Sequence, residues 1–177
     1  VNFGGSTFTS GATANSAIGT PDVFVAKFNS SGTHLNSWAA TGTDNTNWAI
    51  GTGVGVDAGG NVFVTGYFAG TVNFGTGAKT TAACQAIFVV KLSPTLVPVW
   101  ANVYGTAGYA KGLAIAVAPS GNVVVGGTIT GTVNFGGTAG SIVTGLSEQT
   151  PMTVRGAGTP FHQQVEKLHT LLSGART

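Results

Sequence analysis

Six residues, Thr43-Asp-Asn-Thr-Asn-Trp48, carry the groups in this chain best suited to holding a ligand. An indole face stacks on the apolar face of a sugar, while amides and a carboxylate hydrogen-bond its hydroxyls. The candidates are Asp44, Asn45, Asn47 and Trp48, with Tyr109 at the corresponding place in a second unit, Thr106-Ala-Gly-Tyr109. An aromatic that recurs in two units also serves as a packing anchor, so ligand contact and packing both stand as readings.

Other chemistry is harder to build. Catalysis by paired carboxylates needs two acids in one site. The acids are Asp22, Asp44, Asp57, Glu148 and Glu166, and nothing in their spacing pairs them. There is no Gly-x-Ser-x-Gly elbow and no His-Glu-x-x-His run, so no catalytic residue is assigned. His162, Glu166 and His169 stand at i, i+4 and i+7, a spacing that would let them share a zinc ion. It is equally the polar flank of an amphipathic helix, which is the expectation here. Asp57 opens Asp-Ala-Gly-Gly-Asn61, too poor in oxygen ligands for calcium, and is expected to bond its own turn. No metal is expected. Gly51-Thr-Gly-Val-Gly55 would need a strand before it and a helix after it to hold a dinucleotide; a strand runs through it instead, and no cofactor is expected.

Several single residues have ordinary expected roles. Cys84, the lone cysteine, excludes an intrachain disulfide and is expected to be a small half-buried residue. His34 is expected to be solvated. Lys27 and Lys91 should lay their stems on a sheet with the ammonium in water. Trp38 and Trp100 should pack inward.

The elements that must position these residues come from an internal repeat. Gly-Thr-Val-Asn-Phe-Gly occurs at 70–75 and 131–136, and Val-Asn-Phe-Gly opens the chain at 1–4. Asp22-Val-Phe-Val-Ala-Lys27 lines up with Ala86-Ile-Phe-Val-Val-Lys91, and Trp38-Ala with Trp100-Ala. Gly51-Thr-Gly-Val-Gly-Val56 lines up with Gly112-Leu-Ala-Ile-Ala-Val117, and Gly60-Asn-Val-Phe-Val-Thr-Gly66 with Gly121-Asn-Val-Val-Val-Gly-Gly127. These short runs are rich in Val, Phe, Ile and Thr and are bounded by Gly, Asn, Asp and Ser. They read as four strands per unit. Asp57–Asn61, Pro119–Asn122 and Asn29–Gly32 read as tight turns, and 4–21 and 76–85 as connections.

These motifs, recurring in register over about residues 1–145, resemble the β-propeller repeat family of bacterial secreted proteins. The resemblance implies an all-β fold of propeller-like four-stranded antiparallel blades, about two of them, in an exported microbial protein. It implies no catalytic motif, and its members are mostly read as binding or surface scaffolds. The units run about 1–71 and 72–132, with a partial one at 133–145. Propellers close with about 4–8 blades, so two would leave sheet faces and edges open. Two to four copies closing a ring together, the rest of a longer propeller, or stacking of blades along a fibre by strand addition would complete them.

At about residue 146 the pattern breaks. Residues 146–177 form an atypical tail with a helix expected over about 160–172, capped by Thr159 and Pro160. Phe161, Val165, Leu168 and Leu172 make one apolar stripe that needs a partner surface, and the tail reads equally as an unrelated fusion or a frame-shifted end. The Asp-x-Phe-Val-Ala-Lys of a further unit does not recur there.

Composition narrows the classes. Charged residues are 7%, against about a quarter in ordinary domains, and a net charge of +2 on scattered Lys and Arg makes no nucleic-acid surface. No apolar run reaches the ~18 residues of a membrane span. The chain begins within a repeat, as expected of a processed chain or a piece of a longer one. The reading is a non-enzymatic structural or binding repeat module, secreted or at the cell surface, associating with copies of itself or with the rest of a longer propeller. A carbohydrate-binding, adhesin-like propeller is the alternative, and a propeller hydrolase or lyase fragment is the second.

Overall fold

The computed structural model describes residues 2–5, 7–8, 21–42, 46–105, 107–135 and 143–145. The described residues are strands and turns without a helix. The tail helix expected at 160–172, with Phe161, Val165, Leu168 and Leu172, lies outside them, as do His162, Glu166 and His169.

The strands are β1 (Phe24–Phe28), β2 (His34–Ala39), β3 (Thr41–Gly42), β4 (Trp48–Val56), β5 (Val62–Ala69) and β6 (Thr71–Asn73). Then follow β7 (Ala78–Thr80), β8 (Ala86–Leu92), β9 (Pro98–Tyr104), β10 (Tyr109–Val117), β11 (Val123–Val133) and β12 (Val143–Gly145). Every named pairing is antiparallel. β4-β5-β8-β9 is a four-stranded sheet, β10-β11-β12 and β3-β6-β7 are three-stranded, and β1-β2 is a hairpin.

The sequence expects four strands in each unit, but among the described residues only the central sheet has them. The stretch 76–85, read as a connection, contains β7, which pairs with β6. The repeated Val-Asn-Phe phrase therefore opens a small separate sheet. Its residues explain its recurrence. Gly70 takes a left-handed φ of +73°, and the Asn73 Oδ1 accepts from the Gly75 amide at 2.8 Å. Phe74 then turns into the core, its ring 4.9 Å from that of Phe88. At the start of the chain the Asn2 Oδ1 accepts from Gly4 at 2.8 Å and Phe3 lies 4.9 Å from Phe24, the repeat equivalent of Phe88.

One turn design joins the long hairpins. In 57–61 the Asp57 amide donates to Asn61 O and the Gly60 amide to Asp57 O; in 118–122 Ala118 and Gly121 do the same. Such a turn ends in a left-handed residue, supplied by glycine. The turn at 93–97 places Leu96 there, at φ 61°. Its side chain is buried in the core, which offsets the strain of that backbone region.

Alternation along β5 and β8 feeds two cores. Val62, Val64, Phe68, Ala86, Phe88, Val90 and Leu92 point to one face, where Val23, Val25, Trp38 and Ala40 join them. Ile87 and Val89 point to the other, packed with Ala110, Val133, Ile115, Val123, Val125 and Ile129. β5 and β8 are thus covered on both sides, and they read as near-continuous apolar runs for that reason.

Candidate binding residues and open sheet faces

The loop before β4 serves structure before it serves a ligand. Asn47 is buried, and its Oδ1 accepts from the Thr71 amide at 2.8 Å, bracing the entry to β6. Trp48 is half-buried and meets the Tyr67 ring edge-on at 5.8 Å. The Lys111 ammonium lies 5.3 Å from the Tyr67 ring centroid, so charge sits beside this aromatic pair. Tyr109 is exposed at the start of β10. Trp48 and Tyr109 are true equivalents: Ala49 N donates to Pro21 O at 2.9 Å, and Ala110 N to Gln85 O at 3.0 Å. Asp44 and Asn45 lie outside the described residues.

Two carboxylates are described, and each accepts from a backbone amide, Asp57 within its own turn and Asp22 from a distant strand. An Asp22 carboxylate oxygen accepts from Gly42 N at 3.1 Å. Asp57 accepts from both the amide and the side chain of Asn61, each at 2.8 Å. The side-chain bond from Asn61 is the main reason the Asp57 carboxyl titrates below the ordinary value of 3.8. Among the described residues, no three of His, Cys, Asp and Glu gather into a group that could hold a metal ion. No helix among them is long and apolar enough to cross a membrane.

Three single-residue expectations are corrected. Cys84 is exposed, because Ala83 takes the inward place next to it. His34 is not a freely solvated side chain: its Nε2 is buried, its ring meets Phe28, and a methyl group built on Gly5 would lie 2.6 Å from its Cε1. The segment around Asn2 and Thr7 folds over it. The lysine heads are engaged as well. Lys27 donates to Pro94 O at 2.9 Å, and the Lys91 ammonium sits 5.3 Å from the Phe63 centroid. Trp38 is buried, and Trp100 packs edge-on with Phe63.

The larger surfaces are faces of sheet. β10 lies against β4, close enough that glycine is needed between them. A methyl on Gly53 would meet Ile115 Cγ2 at 3.2 Å, and one on Gly55 would meet Val117 Cγ2 at 2.7 Å. The Thr52 hydroxyl, on a bulge of β4, donates across the gap to Gly112 O at 2.6 Å. On the far side of β4, Val54 and Val56 are 60% and 58% exposed. On the far side of β10-β11, Ala114, Ala116, Val124, Gly126 and Thr128 are exposed. On β1, Phe24 and Phe28 are 52% and 46% exposed. Sequence reading gave these residues no role. The signal was present in the alignment of Gly53-Val-Gly-Val56 with Ala114-Ile-Ala-Val117, where small and branched residues alternate.

No protein-family model matches this chain, and no curated protein matches it.

Proposed function

We propose that the chain is a non-enzymatic structural and binding module of propeller-like blades, secreted or displayed at a cell surface, that acts by joining further blades of its own kind. One observation carries this reading. Ile115 and Val117 seat on Gly53 and Gly55 within the molecule, while their repeat equivalents Val54 and Val56 stand uncovered. The resemblance of the repeated motifs to β-propeller repeats of bacterial secreted proteins supports it too. Exposed apolar sheet of this kind favours association. Light scattering of the full chain at micromolar concentration tests the proposal: a mass well above one chain is expected. A monomeric mass with a cooperative melt would overturn it.

The carbohydrate-binding reading draws on Tyr109, exposed at the start of β10, and on half-buried Trp48 at the equivalent place in β4. It is the weaker of the two, because the Asn47 amide that would have served a sugar already holds Thr71. It predicts glycan-array signal lost in Tyr109→Ala with the melt unchanged. A hydrolase or lyase reading has less support still, since both described carboxylates already hold backbone amides.

A further inference from the structure

We infer that two copies of this chain share a composite sheet, in which β1 and β2 of one copy complete β10 and β11 of the other in the order β10-β11-β1-β2. This rests on the module reading above and specifies its partner and its register.

The central sheet is the template. There the strands run β4-β5-β8-β9. By repeat, β10 and β11 correspond to β4 and β5, and β1 and β2 to β8 and β9. Among the described residues β1-β2 and β10-β11 thus each hold one half of such a four-stranded sheet. In the central sheet β5 pairs with β8 along its whole length, Val62 opposite Leu92 through Phe68 opposite Ala86. Among the described residues β11 has a second partner only at 131–133, and β1 pairs with β2 alone. Among the described residues these two strand edges are open, and each matches the other in repeat position. The counterpart of Ala86–Lys91, which follows β5 in the central sheet, does not recur within residues 134–177. It is present in the same chain as Asp22-Val-Phe-Val-Ala-Lys27.

Register follows from the template. Val62–Leu92, Val64–Val90 and Gly66–Phe88 translate to Val123–Phe28, Val125–Ala26 and Gly127–Phe24. Phe63–Lys91, the cation–ring pair, translates to Val124–Lys27. The same placement sets Ala114 and Ala116 of one copy against Val54 and Val56 of the other, covering both open faces at once. Ala114 and Ala116 carry methyls that Gly53 and Gly55 lack, so the second sheet seats roughly 1 Å further out than β10 does on β4. Such a joint is head-to-tail; it closes into a ring or continues as a filament according to its rotation.

Disulfide trapping reads the register directly. In a Cys84→Ala background, one chain carries Val124→Cys and a second carries Lys27→Cys. Mixing under mild oxidant should give a covalent pair containing both. Thr128→Cys with Lys27→Cys, four residues away on the same face, should give none. Val54→Glu, placed on an exposed residue, should lower association at least 10-fold with the melt retained. If the wild-type chain associates but Val124→Cys and Lys27→Cys do not cross-link, or Thr128→Cys cross-links as well, the composite sheet is wrong while the module reading stands. If the wild-type chain is monomeric at micromolar concentration, both fall.

Discussion

The central sheet and the two half-sheets beside it have nearly the same sequence pattern and opposite surroundings. Phe88 on β8 is fully buried between Phe74 and its core neighbours, while Phe24, its repeat equivalent on β1, is 52% exposed with Phe3 on one side. Val124 on β11 is 47% exposed, while Phe63, its equivalent on β5, is 1% exposed. The difference teaches that the repeat encodes a sheet meant to be covered on both faces. Among the described residues, β1 and β11 carry the same apolar pattern with much less cover.

The largest expected effect breaks this comparison at its core. Phe88→Ala should cost about 3–5 kcal/mol, because it removes a buried ring and leaves a cavity. Phe24→Ala, measured on the dilute chain, should cost under about 1 kcal/mol. Urea melts check both, and equal losses would show that β1 is already covered in the isolated molecule. Next in size is Asn47→Ala, which strands the Thr71 amide that its Oδ1 now holds. About 1–3 kcal/mol should be lost. The equivalent position in the next unit is Gly108, which has no side-chain amide, so this brace has no counterpart there.

The smallest effect sharpens the comparison of two turns. Asp57 gains bonds from Asn61 that Ala118 does not gain from Asn122. Its folded carboxyl is depressed, so its contribution is present above the unfolded value near 3.8 and fades as pH falls through the lower folded value. The group is half-exposed to solvent, which screens it, and the change in stability should be small. An NMR titration should place the Asp57 midpoint below 3.8, and an unshifted midpoint would show the Asn61 bonds to be transient.

Much of the fold could be read from residue order. Turn residues at Asn29, Asp57 and Pro119, with apolar runs between them, marked the hairpins, because glycine supplies the left-handed residue that those turns need. The equivalence of Trp48 and Tyr109 was legible from the aligned repeats. Other features depended on contacts between distant segments. Asn47 looked like a ligand group because nothing local shows Thr71 beside it. His34 and Lys27 looked solvated because the Asn2 segment and Pro94 reach them from elsewhere in the chain. Cys84 and Ala83 are adjacent small residues, and only the turn before β8 decides which points inward. Open faces were expected from the number of repeats, but not which residues line them: a repeat alignment shows likeness between units but not which strands lie uncovered.

Amide hydrogen exchange of the full chain across a concentration series tests the central claim most directly. Exchange in β1, β4, β10 and β11 should slow as concentration rises, while β8, already buried on both faces, should stay constant. Exchange in β1 and β11 that is the same at every concentration would contradict the account.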